Sequence, residues 1–92
     1  MTRRRVVVRG RVQGVGFRWF VREHARSLSL AGWVRNRVDG MVELEVAGPD
    51  EKVAELLSYV GEGPDGAVVA AVEDVPVANP APELPDPFTI ER

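Results

Sequence analysis

An α+β sandwich is the fold this sequence predicts, with one antiparallel sheet and two helices on one face. Three observations carry that prediction. Apolar spacing switches between period two and period 3.6 in the order β-α-β-β-α-β, followed by a short fifth strand. Asp39-Gly40, a tight-turn pair, joins two alternating segments. The chain of 92 residues is 45% apolar and 28% charged, which fits a single globular domain over residues 1–92 with one core.

The first strand runs from Arg4 to Val12. Val6, Val8, Gly10 and Val12 share one side, and Arg5, Val7, Arg9 and Arg11 share the other. From Phe17 the spacing becomes helical, with Phe17, Phe20, Val21, His24, Ala25 and Leu28 on one face, and Gly32 is expected to end that helix. Trp33 to Val38 reads as the second strand, with Val34, Asn36 and Val38 inward. The third strand, Met41 to Ala47, puts Val42, Leu44 and Val46 inward and Glu43 and Glu45 outward. Pro49 sets the first turn of a second helix, where Asp50 and Glu51 suit the positive end. Its apolar stripe is Val53, Leu56, Leu57 and Val60. Gly61 to Gly66 reads as a loop and Ala67 to Val75 as a fourth strand, whose period slips between Val69 and Val72 and so predicts a bulge. Five prolines between Pro76 and Pro87 make an irregular connection. Phe88 to Ile90 then forms a short edge strand that returns Phe88 and Ile90 to the core.

This order is the ferredoxin-like split βαβ plan. Right-handed crossovers and a tight hairpin place the third strand between the first and second. The glycine-rich loop after the first strand and Asn36 late in the second then meet at one end of the sheet.

Charge divides the chain. Residues 1–40 hold ten arginines against Glu23 and Asp39, a net +8, whereas residues 41–92 hold Lys52 and Arg92 against twelve acids, a net −10. A basic half suits an anionic partner. On the predicted sheet, however, Arg9 and Arg11, then Glu43 and Glu45, then Arg35 and Arg37 form a ladder of alternating sign on the helix-free face, which accounts for many of these charges internally. Arg18 lies off that ladder, at a loop-to-helix junction.

The chain has no cysteine, which excludes disulfides and a thiolate zinc site and suits the cytoplasm. One histidine and scattered carboxylates give no metal cluster, so neither metal nor cofactor is expected. No apolar run approaches the roughly 20 residues of a membrane span. Behind Arg3-Arg4-Arg5 stand only Val6-Val7-Val8, too short for a secretory signal.

Gly14 and Gly16 end the first strand in a turn that feeds a helix. Backbone N–H groups converge at such a point and bind anions. Arg18 there opposes the helix dipole unless an anion is present. It is either an anion ligand or a solvated first-turn residue. Asn36 occupies an inward register and either caps a nearby loop or serves a site. Gln13 is expected to hydrogen-bond within the loop. His24 is expected in the core or at its boundary, and Trp19 and Trp33 are expected to be packing or surface residues rather than stacking platforms.

Gly10-Arg11-Val12-Gln13-Gly14-Val15-Gly16-Phe17-Arg18 and Gly32-Trp33-Val34-Arg35-Asn36-Arg37-Val38-Asp39-Gly40 resemble the two signatures of the acylphosphatase family. Both are complete, and the likeness extends over nearly the whole chain. The resemblance implies metal-independent hydrolysis of a small acylphosphate to a carboxylate and inorganic phosphate. It implies that Arg18 and the backbone N–H groups of Gln13, Gly14, Val15, Gly16, Phe17 and Arg18 hold the phosphoryl group, and that Asn36 orients the attacking water. A monomer without nucleic-acid or membrane partners is the expectation. The proline-rich tail departs most from the family pattern and is expected not to touch the site. Two alternatives share parts of this pattern. One is an RNA-binding module of the same element order, whose aromatics belong on the open sheet face where Glu43 and Glu45 are expected instead. The other is an idle phosphate- or carbamoyl-phosphate-binding module, as in acylphosphatase-like domains fused within larger proteins.

Overall fold

A computed structural model describes residues 1–92. Its elements are β1 (Thr2–Arg11), α1 (Phe17–Ser27), β2 (Ala31–Asn36), β3 (Val42–Gly48), α2 (Asp50–Glu62), β4 (Val68–Val75) and β5 (Thr89–Glu91). The five strands form one sheet in the order β4-β1-β3-β2-β5. β3 is central and antiparallel to both β1 and β2, whereas β5 runs parallel to β2 at the edge. This is the expected ferredoxin-like arrangement with its added fifth strand.

Period-two alternation in β1 and β3 sends Val6, Val8, Val42, Leu44 and Val46 into the core, where they meet Phe17, Val21 and Ala25 of α1 and Val53, Leu56 and Val60 of α2. Each of these side chains is almost fully buried, and each large one contributes roughly 1.5–3 kcal/mol by leaving water. Pro49 precedes α2 as its N-cap, and its carbonyl accepts the N–H groups of Lys52 and Val53 at 3.0 Å. Gly61 and Glu62 still belong to α2, so the following loop starts at Gly63. The predicted bulge is Ala70, because Arg9 pairs with Ala71 and Gly10 with Val69.

Gly32 has a different role from the one expected. α1 ends at Ser27, and Ser29 takes the left-handed conformation that turns the chain (φ 58°). Gly32 instead lies inside β2 with φ +145°, and a Cβ there would collide with the Glu45 carbonyl oxygen and come within 2.9 Å of the Phe88 ring. Its N–H donates to the Pro85 carbonyl at 2.8 Å. The glycine lets the tail cross close against the sheet. β2 also ends earlier than expected, so Val38 is fully exposed in the hairpin turn rather than inward.

The charge ladder exists with different partners. β1 and β3 pair with Arg5 opposite Glu45 and Val8 opposite Val42, so β3 stops before it reaches Arg9 or Arg11. Arg3 bonds Glu45, and Arg5 bonds Glu43 at 2.6 Å. Arg35 closes on Glu43 from the other side at 2.9 Å. Arg9 pairs with Glu73 on β4, Arg37 pairs with Asp39 in the turn, and Arg11 makes no ion pair. Glu43 and Glu45 sit on the helix-free face yet are only 3% exposed, because the arginines cover them. Trp33 lies beneath the Arg5 and Arg35 guanidiniums, 5.4 and 4.9 Å from its ring centroid. No open aromatic platform for stacking bases is left on this face.

The proline-rich segment 76–88 carries no regular structure. Fully buried Phe88 anchors its end, and Arg26 Nε donates to the Phe88 carbonyl at 2.7 Å. β5 is thereby fixed beside β2, with Ile90 opposite Val34 and Glu91 opposite Arg35.

Candidate active site

A cavity of about 500 Å³ opens where β1, β2 and β5 end and α1 begins. Val12, Gly14, Gly16, Phe17, Arg18, Trp19, Asn36, Ile90 and Arg92 line it. The two polar residues singled out from the sequence, Arg18 and Asn36, therefore face one space.

The loop is built by two glycines. Gly14 (φ 75°) and Gly16 (φ 77°) are both left-handed, a conformation that side chains disfavour. Neither would meet another atom if given a Cβ, so backbone conformation and not crowding selects glycine here. Gly16 caps α1, and its carbonyl accepts the Phe20 N–H at 3.0 Å. The backbone N–H groups from Gln13 through Arg18 donate to no backbone acceptor. A row of free donors at a helix start is what an anion with several oxygens needs.

The first turn of α1 holds no acidic residue, and Arg18 enters no ion pair. Its guanidinium is left available, at the positive end of the helix dipole, for an anion from outside the chain.

Asn36 is the last residue of β2, paired with Val42. It is half-buried, and no hydrogen bond within the chain uses its carboxamide, so it does not act as a loop cap. The hairpin beyond it is well ordered by its own bonds. Arg37 N–H donates to the Met41 carbonyl at 2.8 Å, and Met41 N–H donates to Asp39 Oδ1 at 3.1 Å. That N–H, together with Arg37, holds the Asp39 carboxyl below its ordinary range despite some desolvation.

Of the residues expected to hold the phosphoryl group, Gly14, Gly16, Phe17 and Arg18 line the cavity, whereas Gln13 and Val15 do not. Gln13 Nε2 donates to the carbonyls of Arg37 at 2.8 Å and Met41 at 2.9 Å, tying the loop to the hairpin. Val15 packs against the core. His24 is held between Phe20 and Tyr59, with ring centroids 4.5 and 3.9 Å away, and is remote from the cavity lining.

The tail, contrary to expectation, reaches the site. Ile90 and Arg92 line the cavity because β5 runs parallel to β2, which carries the residue after Glu91 toward Asn36. Trp19, 58% exposed, forms part of the rim. The alternation of Phe88 and Ile90 was the only signal in the sequence for the tail's return, and it did not reveal where the strand would end.

No three His, Cys, Asp or Glu side chains gather as a metal-holding group. No helix is long and apolar enough to cross a membrane.

Comparisons with known proteins identify the family and the fold. The acylphosphatase family model matches residues 4–90. An acylphosphatase of Nitrobacter hamburgensis is 52% identical over 81 residues, which is 88% of this chain and 82% of the relative. The crystal structure of an acylphosphatase from Bacillus subtilis superposes with a TM-score of 0.81 at 36% identity and covers 100% of both chains. An acylphosphatase from Coxiella burnetii superposes with a TM-score of 0.83 at 38% identity, over 98% of this chain and 92% of that one. The complete signature segments, the sheet order and these matches have one explanation: the chain belongs to the acylphosphatase family.

Proposed function

We propose that the chain hydrolyses the carboxyl–phosphate bond of small acylphosphates by direct attack of water, without a metal ion. The observation that carries this reading is that an unpaired arginine, an unengaged carboxamide and the loop residues Gly14, Gly16 and Phe17, whose N–H groups have no backbone acceptor, line one cavity.

The phosphoryl group sits in the loop. Its nonbridging oxygens accept hydrogen bonds from the N–H groups of Gln13 to Arg18 and a two-point contact from the Arg18 guanidinium. These donors match the charge spread over the transferring group. The Asn36 carboxamide oxygen accepts a hydrogen bond from the nucleophilic water and points its lone pair at phosphorus. The water oxygen bonds to phosphorus as the bond from phosphorus to the bridging oxygen breaks. The bridging oxygen leaves as part of the carboxylate, and the water proton passes to phosphate and solvent. A carboxylate leaves as a stable anion, so the step needs no general acid. That fits a site from which His24 is excluded.

The same reading makes the protein a monomeric cytoplasmic enzyme with no nucleic-acid or membrane partner. The capped glutamates on the open sheet face support this over an RNA-binding role. Hydrolysis of benzoyl phosphate in excess chelator tests the reading. Steady release of phosphate supports it, and stoichiometric binding without turnover would favour an idle binding module.

A further inference from the structure

The catalytic cavity has a neighbour. On the helix-free face, a shallower groove of about 520 Å³ is lined by Arg5, Arg35, Asn36, Arg37, Val38, Asp39, Glu43 and Arg92. Asn36 and Arg92 belong to both spaces. An acylphosphate whose phosphoryl group lies in the glycine loop must send its acyl part out of the first cavity, and these two shared residues stand where the two spaces adjoin.

The groove carries four arginines against two acids, and most are already committed. Glu43 is shared by Arg5 and Arg35, and Asp39 is held by Arg37 at 2.9 Å. Glu91 lies across the ladder from Arg35 but outside the lining of both spaces. Arg92 alone among the groove's arginines enters no ion pair. It is exposed, and its backbone is placed by the pairing of Glu91 with Arg35.

From this placement we propose that Arg92 is a specificity-determining residue that binds a second anionic group on the acyl part of the substrate, so that the enzyme prefers acylphosphates of acids bearing another carboxylate or phosphate. The proposal rests on the acylphosphatase reading of the first cavity. A cation at the junction attracts such a substrate and contacts its acyl arm. A neutral acyl group gains nothing from it.

The test compares benzoyl, meta-carboxybenzoyl and meta-phosphonobenzoyl phosphate, whose rigid rings prevent the second anion from attacking its own carbonyl. The wild type is expected to show kcat/KM about fivefold higher for at least one dianionic-arm substrate than for benzoyl phosphate, expressed mainly in KM. The favoured arm tells carboxylate from phosphate. Arg92→Gln is expected to abolish that preference, and Arg92→Lys to retain part of it. Inhibition by inorganic phosphate, which probes the glycine loop alone, serves as the second readout. No preference in the wild type would overturn the proposal while leaving the hydrolase reading intact. Equal losses for all three substrates and for phosphate inhibition in Arg92→Gln would also overturn it, because Arg92 would then belong to the phosphoryl cradle. Failure to hydrolyse any of the three would refute the underlying reading as well.

Discussion

The Gln13 carboxamide donates to the Arg37 carbonyl at 2.8 Å, which ties the glycine loop to the residue directly after Asn36. A second bond to the Met41 carbonyl completes the strap. The two halves of the proposed site come from different strands, and this side chain sets their spacing. Gln13→Ala is expected to cost about 1–2 kcal/mol, read by urea denaturation, because two hydrogen bonds between the loop and the hairpin are lost while the Arg37 and Met41 carbonyls keep their backbone donors. It should also lower kcat/KM, since misplaced groups transmit directly to rate. Gln13→Glu is expected to be no better, because a carboxylate cannot donate to a carbonyl.

Gly32 marks the close crossing of the tail over the sheet. Gly32→Ala is expected to destabilise by about 3 kcal/mol or more, since the new methyl meets the Glu45 carbonyl and Phe88 in a left-handed backbone. Thermal unfolding measures it. Any loss of β5 should appear as faster proteolysis within the proline-rich segment, because Gly32 N–H also holds Pro85.

Glu43 links pH to stability. Burial raises its pKa, but hydrogen bonds and charge from Arg35 and Arg5 outweigh burial and hold it below the ordinary 4.5. A carboxyl depressed in the folded state contributes stability that is fully present above the unfolded value. That contribution is lost as pH falls through the folded value. Chemical denaturation between neutral pH and acid should therefore show a steeper decline for the wild type than for Glu43→Gln. At neutral pH the variant should be less stable by about 1–3 kcal/mol.

Arg18 has no structural partner to lose. Arg18→Ala should keep the wild-type melting temperature and lose about 10²–10³ in kcat/KM, with competitive inhibition by inorganic phosphate strongly weakened. Retained phosphate inhibition would remove Arg18 from the phosphoryl site.

The fold was legible because alternation in β1 and β3, the helical stripes and the Asp39-Gly40 turn agree with one another. The convergence of Arg18 and Asn36 on one cavity was legible because Arg18 opposes a helix dipole unless an anion is present, and Asn36 occupies an apolar register that is unfavourable without a hydrogen-bond partner. The strand register was less accessible. Alternation fixes which face Arg9 and Arg11 share but not how far β1 slides along β3, so the ladder's true members, Arg3 and Arg5, emerged only from the pairing of Arg5 with Glu45. Gly32 looked like a helix stop because glycine serves both ends and close approaches, and the crossing chain that decides the matter is more than fifty residues away. Arg92 was missed for a similar reason. Its position depends on Phe88 anchoring a segment without periodicity.

Asn36→Ala tests the account most directly, measured as kcat for benzoyl phosphate together with the inhibition constant for inorganic phosphate and the melting temperature. The carboxamide makes no hydrogen bond within the chain, so the fold and phosphate binding should be preserved. Turnover should fall by about 10²–10³, or roughly 3–4 kcal/mol of transition-state stabilisation. A folded Asn36→Ala protein with wild-type turnover would contradict the assignment of the water-orienting role and, with it, the mechanism.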